Sequence, residues 1–458
     1  MAVSEQNICM KGTSMKFSHQ IQGNALIVTI AGRIDVLNNE AFAAELSTRI
    51  KTQGMEIVIL DFSGVDFISS ACLRSLMLGL KQAREAKVAL ALAAIQPQVL
   101  EIFQLSRIDT LIQCFATVEQ VFQTPITLKS TKAQRSSNVN SMSVRFWGTR
   151  GSLPAPLTLS QLRNKLTSAL VAGANMKLDT VERAQHFVES LPFHIGGTYG
   201  GNSSCVELSA SDNNVVLLDM GSGARLAGQD ALQRLAGRSG DFHIFISHLH
   251  WDHIMGFPFF TPAYISGQRI HIYACHEHLE NAFRRQQAEP SFPVELSKMA
   301  AQIEFVRLEP GRSYNIAGYQ VQAALQHHHG DSFGYRFQKN GKCVVYSTDA
   351  EHKPEDLLDI KNFVEFFRDA DLVIFDAMYS LADSISVKED WGHSSNIMGV
   401  ELCQQAGAKR LVLVHHEPAN DDATIERLCH DALRLEEITS KGQRLEIFAA
   451  YDGLQIAL

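Results

Sequence analysis

The sequence predicts an α/β protein of two folded units, on three observations. Short apolar runs of strand length alternate with segments whose apolar residues recur every three or four positions, the two periods that separate strands from helices. The 458 residues exceed what a single core usually holds. Between residues 124 and 142 a polar stretch without periodicity (Thr124, Pro125, Thr131, Lys132, Ser136, Ser137, Ser141) has the composition of a linker. The expected organisation is a domain over 15–123, a linker over 124–142 and a larger domain over 143–458.

In the first unit, residues 25–30 read as a strand, Gly32 to Asp35 as a turn, and 40–51 as a helix with an apolar stripe through Phe42, Leu46 and Ile50. Residues 56–62 are apolar enough for a central buried strand. Phe67, Ile68, Ser69, Ser70, Ala71, Cys72, Leu73 and Arg74 then open a helix running to about residue 86. A strand over 88–93 and a helix over 98–105 complete the unit. Serines at a helix start have a plain structural role, since a hydroxyl there caps free backbone N–H groups.

The second unit starts with a strand from Ser143 into the glycine-bearing loop Gly148, Thr149, Arg150, Gly151. Residues 157–193 read as a helical insertion, with Leu162, Leu166 and Leu170 four apart. Packing against the domain is the plain expectation for that stripe, and a cover over a site is the other. Strands return over 200–208 and 215–218. Asp219, at a strand exit before Gly221-x-Gly223, is suited either to bonding turn amides or to orienting a neighbouring ligand. The aromatic, proline-stiffened segment 257–262 is expected to wall a pocket.

The chemistry concentrates in Ser247, His248, Leu249, His250, Trp251, Asp252 and His253. Three imidazoles and a carboxylate fall directly after the apolar run 242–246. A solvated polar loop would explain a lone His-x-His but not this spacing. Further ligand-type residues end other apolar runs: His327, His328 and His329, then Asp349, Asp376, and His415 with His416. One such residue is unremarkable. Their repetition places donors on a rigid rim, and imidazole with carboxylate suits borderline-hard divalent ions such as zinc or manganese.

Composition narrows the class. Hydrophobic residues make up 45% and charged residues 20% of the chain, ordinary values for a soluble protein. No apolar run approaches the roughly 18 residues that span a bilayer, and residues 1–20 lack a basic-then-apolar export pattern, so a cytoplasmic location and no membrane partner are expected. Eight cysteines without a C-x-x-C pair read as reduced thiols. The net charge of -8 argues against broad nucleic-acid binding, which depends on neutralising phosphates, but leaves room for a small phosphate ester.

Two resemblances sharpen the reading. Residues 15–122 resemble a STAS domain, the module of anti-sigma factor antagonists, through Gly32-x-x-Asp35, the strand end Leu60-Asp61-Phe62, and the segment 67–74. This implies phosphorylation of Ser70 by an anti-sigma-factor-like kinase, or docking of another STAS partner protein. A phosphate there would add nearly two negative charges at a helix start, where the dipole favours them. Cys72 and Arg107 stand where the family usually has glycine, which bears on the partner surface.

Residues 144–458 resemble the metallo-β-lactamase superfamily. Asp219 matches its first motif, His248-x-His250-x-Asp252-His253 the second, His328 the third, Asp349 the fourth and His415 the fifth. Gly334-Tyr335-Arg336 and His393, within Gly392-His393-Ser394-Ser395, are similar to the ribonuclease Z and phosphodiesterase branch. The implied fold is a STAS-like α/β domain followed by a four-layer αββα sandwich. The implied cofactors are two divalent metal ions, zinc first, with Mn2+ or Fe2+ as alternatives. His248, His250 and His328 would hold one, Asp252, His253 and His415 the other, and Asp349 would bridge. Asp219 and His416 would support these ligands, with His327 and His329 flanking, while Asp252 and His393 would be catalytic. The implied reaction is hydrolysis of a small cyclic nucleotide or other phosphodiester. Thioester or lactone hydrolysis, RNA processing, and a signalling scaffold with a degenerate hydrolase domain are the alternatives, and a homo-oligomer is compatible with all of them.

Overall fold

The computed structural model describes residues 4–6, 15–34, 38–68, 70–105, 112–123, 142–210, 213–352, 357–384, 388, 390–440 and 442–458. Asp35, Ser69, the side chain of Ser70, Arg107 and the stretch 124–141 lie outside them. The chain divides into two compact units, Met1–Ala133 and Gln134–Leu458.

The first unit is a six-stranded sheet in the order β1 (Ser4–Gln6), β2 (Lys16–Gln22), β3 (Ala25–Ile34), β4 (Ile57–Ile68), β5 (Ala89–Ala93) and β6 (Gln113–Phe115). The first three strands pair antiparallel and the rest parallel. The helix Asn39–Ile50 buries Phe42, Leu46 and Ile50, the stripe its period predicts. It meets the helix Ser70–Glu85 at Gly79, where a Cβ would overlap the Leu46 side chain.

The second unit holds two seven-stranded sheets. The first runs β12 (Gln302–Arg307), β11 (Arg269–Ala274), β10 (Asp241–Phe245), β9 (Asn214–Leu218), β8 (Cys205–Leu208), β7 (Ser143–Gly148), β20 (Gln455–Ala457). The second runs β13 (Ser313–Ile316), β14 (Tyr319–Gln326), β15 (Ser332–Lys339), β16 (Lys342–Ser347), β17 (Leu372–Asp376), β18 (Arg410–Val414), β19 (Glu446–Ala449). Alternation along each strand sorts side chains into layers. Phe146, Val216, Phe245, Tyr335, Tyr346, Ile374 and Val412 fill the space between the sheets. Phe242, Ile244 and Ile272 face outward onto the helices Ala224–Leu235 and Leu279–Gln286. Val345, Phe375 and Leu413 face the helices Leu357–Phe367, Asn396–Ala406 and Asp422–Thr439. Four layers result, αββα.

Two expectations need correction. Phe257 and Phe260 do not wall a pocket: they are fully buried against the helix Ala224–Leu235, and of that aromatic trio only Phe259 is exposed. The insertion forms the helices Leu159–Ala172 and Val181–Ser190, but Leu162, Leu166 and Leu170 are 45%, 56% and 75% exposed rather than packed. Polar contacts anchor this helix instead. Thr158 and Gln161 form a capping box at its start, and Lys165 Nζ reaches Gly197 O at 2.9 Å and Asp422 Oδ2 at 2.6 Å.

Candidate metal centre

Ligand-type side chains converge because strands of each sheet end along one edge. β9 and β10 are parallel neighbours, as are β16, β17 and β18, and β14 runs with them because only the antiparallel β15 lies between. Asp219 follows β9, the 247–253 segment follows β10, His328 follows β14, Asp349 follows β16, Asp376 ends β17, and His415 follows β18. Asp219, Asp349 and His415 have φ of 59°, 36° and 61°. This left-handed backbone costs a non-glycine residue roughly 1–2 kcal/mol, and here it turns each side chain into the site as the strand ends.

Two donor sets lie side by side. His248, His250 and His328 bring one nitrogen each within 4.8 Å of one another, and so do one nitrogen each of His253 and His415 with one carboxylate oxygen each of Asp252 and Asp349. His250 Nδ1 lies 3.1 Å from His328 Nε2. His253 Nε2 is 3.1 Å from Asp252 Oδ2, and His415 Nε2 is 3.2 Å from the same oxygen. Asp349 joins the sets: its Oδ1 lies 3.1 Å from both His253 Nε2 and His415 Nε2, while its Oδ2 lies 3.5 Å from His248 Nε2 and 3.7 Å from His328 Nε2. Most of this cluster is buried, with His250 at the exposed rim.

Burial and charge set the protonation. Burial pushes the His248, His250 and His328 pKa values down, which favours the neutral, ligating imidazole. Burial also opposes a charge on His253, but Asp349, Asp252 and Asp219 together outweigh it and push its pKa up. Desolvation would raise the Asp252 and Asp349 pKa values, yet the surrounding histidines hold both carboxylates well below the usual range.

An outer ring of contacts orients these groups. Asp219 accepts from His253 Nδ1 at 2.7 Å, Tyr346 Oη at 2.7 Å, Ser247 N at 2.7 Å and Ser247 Oγ at 2.8 Å. Ser152 N donates to Asp252 Oδ2 at 2.9 Å. A Cβ on Gly151 would lie 2.5 Å from His415 Nδ1, so glycine lets the loop after β7 close over that ring. His393 Nδ1 lies 2.8 Å from Asp376 Oδ2 and 4.0 Å from Asp349 Oδ2. The other predicted histidines stand apart from the donor sets. His416 donates to Ala450 O, His329 to Asp390 O, and His327 pairs with Asp359.

Sequence reasoning did not assign Ser247, Tyr346, Ser152 or Gly151 to the site. Their only signal was position: Ser247 precedes the histidine motif, Tyr346 lies three residues before Asp349, and Gly151 with Ser152 sits in the glycine-bearing loop after β7.

Residues 214–416 match the beta-lactamase superfamily domain, and residues 16–121 match the STAS domain. The chain joins a STAS domain to a metallo-β-lactamase domain. The STAS domain is similar to a Bordetella bronchiseptica protein named as an anti-sigma factor antagonist, BtrV, at 35% identity over 92 residues, covering 20% of this chain and 78% of the relative. The metallo-β-lactamase domain is similar to ribonuclease Z of Acaryochloris marina, at 26% identity over 231 residues, covering 38% of this chain and 68% of the relative. The crystal structure of the metallo-beta-lactamase fold protein YhfI from Bacillus subtilis aligns at 17% identity with a TM-score of 0.45, covering 70% of this chain and 100% of that one. Among the described residues, no helix is long and apolar enough to cross a membrane.

Proposed function

We propose that the metallo-β-lactamase domain is a dinuclear metal-dependent phosphodiesterase acting on a small phosphodiester such as a cyclic nucleotide, with the STAS domain as its partner-binding, regulatory module. The reading is carried by the Asp349 carboxylate, whose two oxygens face different donor sets beside a His393 held by Asp376. The residues fit a pair of cations. His248 Nε2 is buried with no hydrogen-bond partner among the described residues, and the donors are imidazoles and carboxylates. His248, His250 and His328 would hold one ion; Asp252, His253 and His415 the other; Asp349 would contribute to both. Zn2+ suits this set first, Mn2+ or Fe2+ next. Cations held there would lower the pKa of water from about 15.7 to about 7, roughly 12 kcal/mol in deprotonation, against the roughly 3–5 kcal/mol of a positioned general base.

The chain's own groups supply orientation and a proton. Asp219 holds His253 Nδ1, which aims Nε2 at the cluster. Asp376 holds His393 Nδ1 and leaves Nε2 to face a phosphate oxygen or leaving group. Burial opposes a charge on His393, but Asp376, then Asp349 and Asp252, outweigh it and raise its pKa to about 9. Held by Asp376, His393 is placed to donate to the leaving oxygen, a role worth about 10²- to 10⁴-fold. His393→Asn should slow opening of a nucleoside 2′,3′-cyclic phosphate by about 10²-fold or more, while bis(p-nitrophenyl) phosphate, whose leaving group needs no proton, slows far less. Equal losses on both substrates would remove His393 from this role.

A second reading, a nuclease, is favoured by the likeness to ribonuclease Z. Against it stands the net charge of -8. Metal-loaded protein offered bis(p-nitrophenyl) phosphate, cyclic nucleotides, precursor transfer RNA and a thioester separates the cases. Cleavage of the thioester alone points to acyl hydrolysis, and cleavage of precursor transfer RNA alone to the nuclease. Turnover of none, with metals bound, leaves a scaffold. For the STAS domain, Ser70 opens the helix Ser70–Glu85, and a phosphate at that end is favoured by the helix dipole. Mass spectrometry that finds no phosphate on Ser70 after incubation with candidate kinases would count against partner switching.

A further inference from the structure

Two of the chain's three tryptophans stand exposed beside the metal centre. Trp147 is buried, whereas Trp251 and Trp391 are 72% and 55% exposed. An indole left in water forgoes a large burial gain, and two of them flanking one site call for a use.

Their placement is specific. Trp251 follows His250, whose Nδ1 lies 3.1 Å from His328 Nε2. Trp391 precedes Gly392, whose carbonyl accepts from His328 Nδ1 at 2.7 Å. The two indoles thus leave the backbone next to groups that touch the two nitrogens of one imidazole, one on either side of it. Gly392 has φ of 80°, and a Cβ there would lie 2.5 Å from His328 Nδ1. Glycine at 392 therefore brings the Trp391 backbone as near to His328 as packing permits. Glu351 holds the same turn, accepting from Asp390 N at 3.1 Å and Gly392 N at 3.2 Å. Lys388 Nζ sits over one face of the Trp391 ring, 3.9 Å from its centre and 4.0 Å from Glu417 Oε2, so it props that indole from one side and leaves the opposite face for a ligand.

We infer that Trp251 and Trp391 are stacking surfaces for a planar nucleobase, so that the phosphodiester cleaved at the metal centre is a nucleotide. This rests on the phosphodiesterase reading and narrows its substrate class. Flat aromatic faces beside a cluster of cation-binding donors match a ligand that is planar at one end and anionic at the other. Stacking of one base on one such ring is worth about 5- to 150-fold in binding.

Adenosine monophosphate and ribose 5-phosphate, which differ by the base alone, test the inference on the metal-loaded full chain. Binding is followed by calorimetry and by tryptophan fluorescence, with folding of each variant checked by its melting temperature. The nucleotide should bind at least about ten-fold more tightly than the sugar phosphate and quench the emission. Trp251→Leu and Trp391→Leu should each erode that preference and leave ribose 5-phosphate within about two-fold. Equal affinity of the two ligands for the unaltered protein overturns the inference, as do variants that weaken both ligands in parallel. Preferential nucleotide binding without cleavage of any phosphodiester would sink the hydrolytic reading and leave stacking standing. Cleavage with equal affinities would do the reverse.

Discussion

Buried and charged, Asp219 accepts four hydrogen bonds from three residues, and no water is needed to satisfy it. Asp219→Ala would strand the Tyr346 and Ser247 hydroxyls and free the His253 ring. Removing one partner from such a buried charged network costs about 3–5 kcal/mol, so urea unfolding of the metal-free protein should show a loss in that range. A loss under about 1 kcal/mol would mean the network is not closed in solution. His352 presents the opposite case. Its ring packs on Phe363 and Phe375, with centroids 4.2 and 5.5 Å away, and neither nitrogen has a hydrogen-bond partner among the described residues. Burial lowers its pKa from 6.5 to about 3. Because the folded-state pKa is depressed, the neutral ring's contribution is fully present above about pH 6.5 and is lost as pH falls toward 3. Between pH 7 and pH 5 that loss is about 2 kcal/mol. His352→Leu should remove this share of the acid sensitivity and raise stability at pH 7; an unchanged pH slope would show that His352 finds a partner. The imidazoles and carboxylates of the two donor sets were legible as residue types at strand ends. Of their supports, Asp219 was legible at its strand exit and the rest were not: a tyrosine 127 positions from Asp219 announces nothing until the sheets bring the two within 2.7 Å.

The loop after β7 shows how an element that brings no donor of its own can set a donor's position. Arg150 anchors it, donating to Gly200 O at 3.0 Å and Asn420 O at 2.8 Å, which seats Gly151 against His415 and Ser152 N against Asp252. A methyl group at position 151 has no room beside the imidazole. Gly151→Ala should weaken metal retention by at least about ten-fold in dialysis against chelator, with the fold intact by circular dichroism. Retention equal to the parent's would show that the loop gives way. The insertion teaches a different lesson. Its leucine spacing correctly indicated a helix, because period is a property of the segment alone. Which face would be covered was not readable, since that depends on what stands opposite in space.

At the scale of the molecule, ligand-bearing turns from both sheets meet at one edge of the sandwich. Ions bound there would link the sheets, and a ligand that binds only the folded state at 100 times its Kd adds about 2.7 kcal/mol. Stripping the metals should therefore lower the unfolding temperature of the larger domain in calorimetry and leave the STAS transition where it was. A shift of neither transition would mean that the donor sets hold no ion of consequence for folding.

By itself the sequence determined the α/β class, the two-part order and the kinds of donor at the ends of apolar runs, because periodicity and ligand chemistry are local properties of a chain. Tertiary structure alone decided that each oxygen of Asp349 faces a different group of imidazoles, that Asp376 holds His393, and that the Leu162, Leu166 and Leu170 stripe remains in water. Those outcomes are distances and exposures set by neighbours in the fold, between residues as many as 101 positions apart, as His248 and Asp349 are.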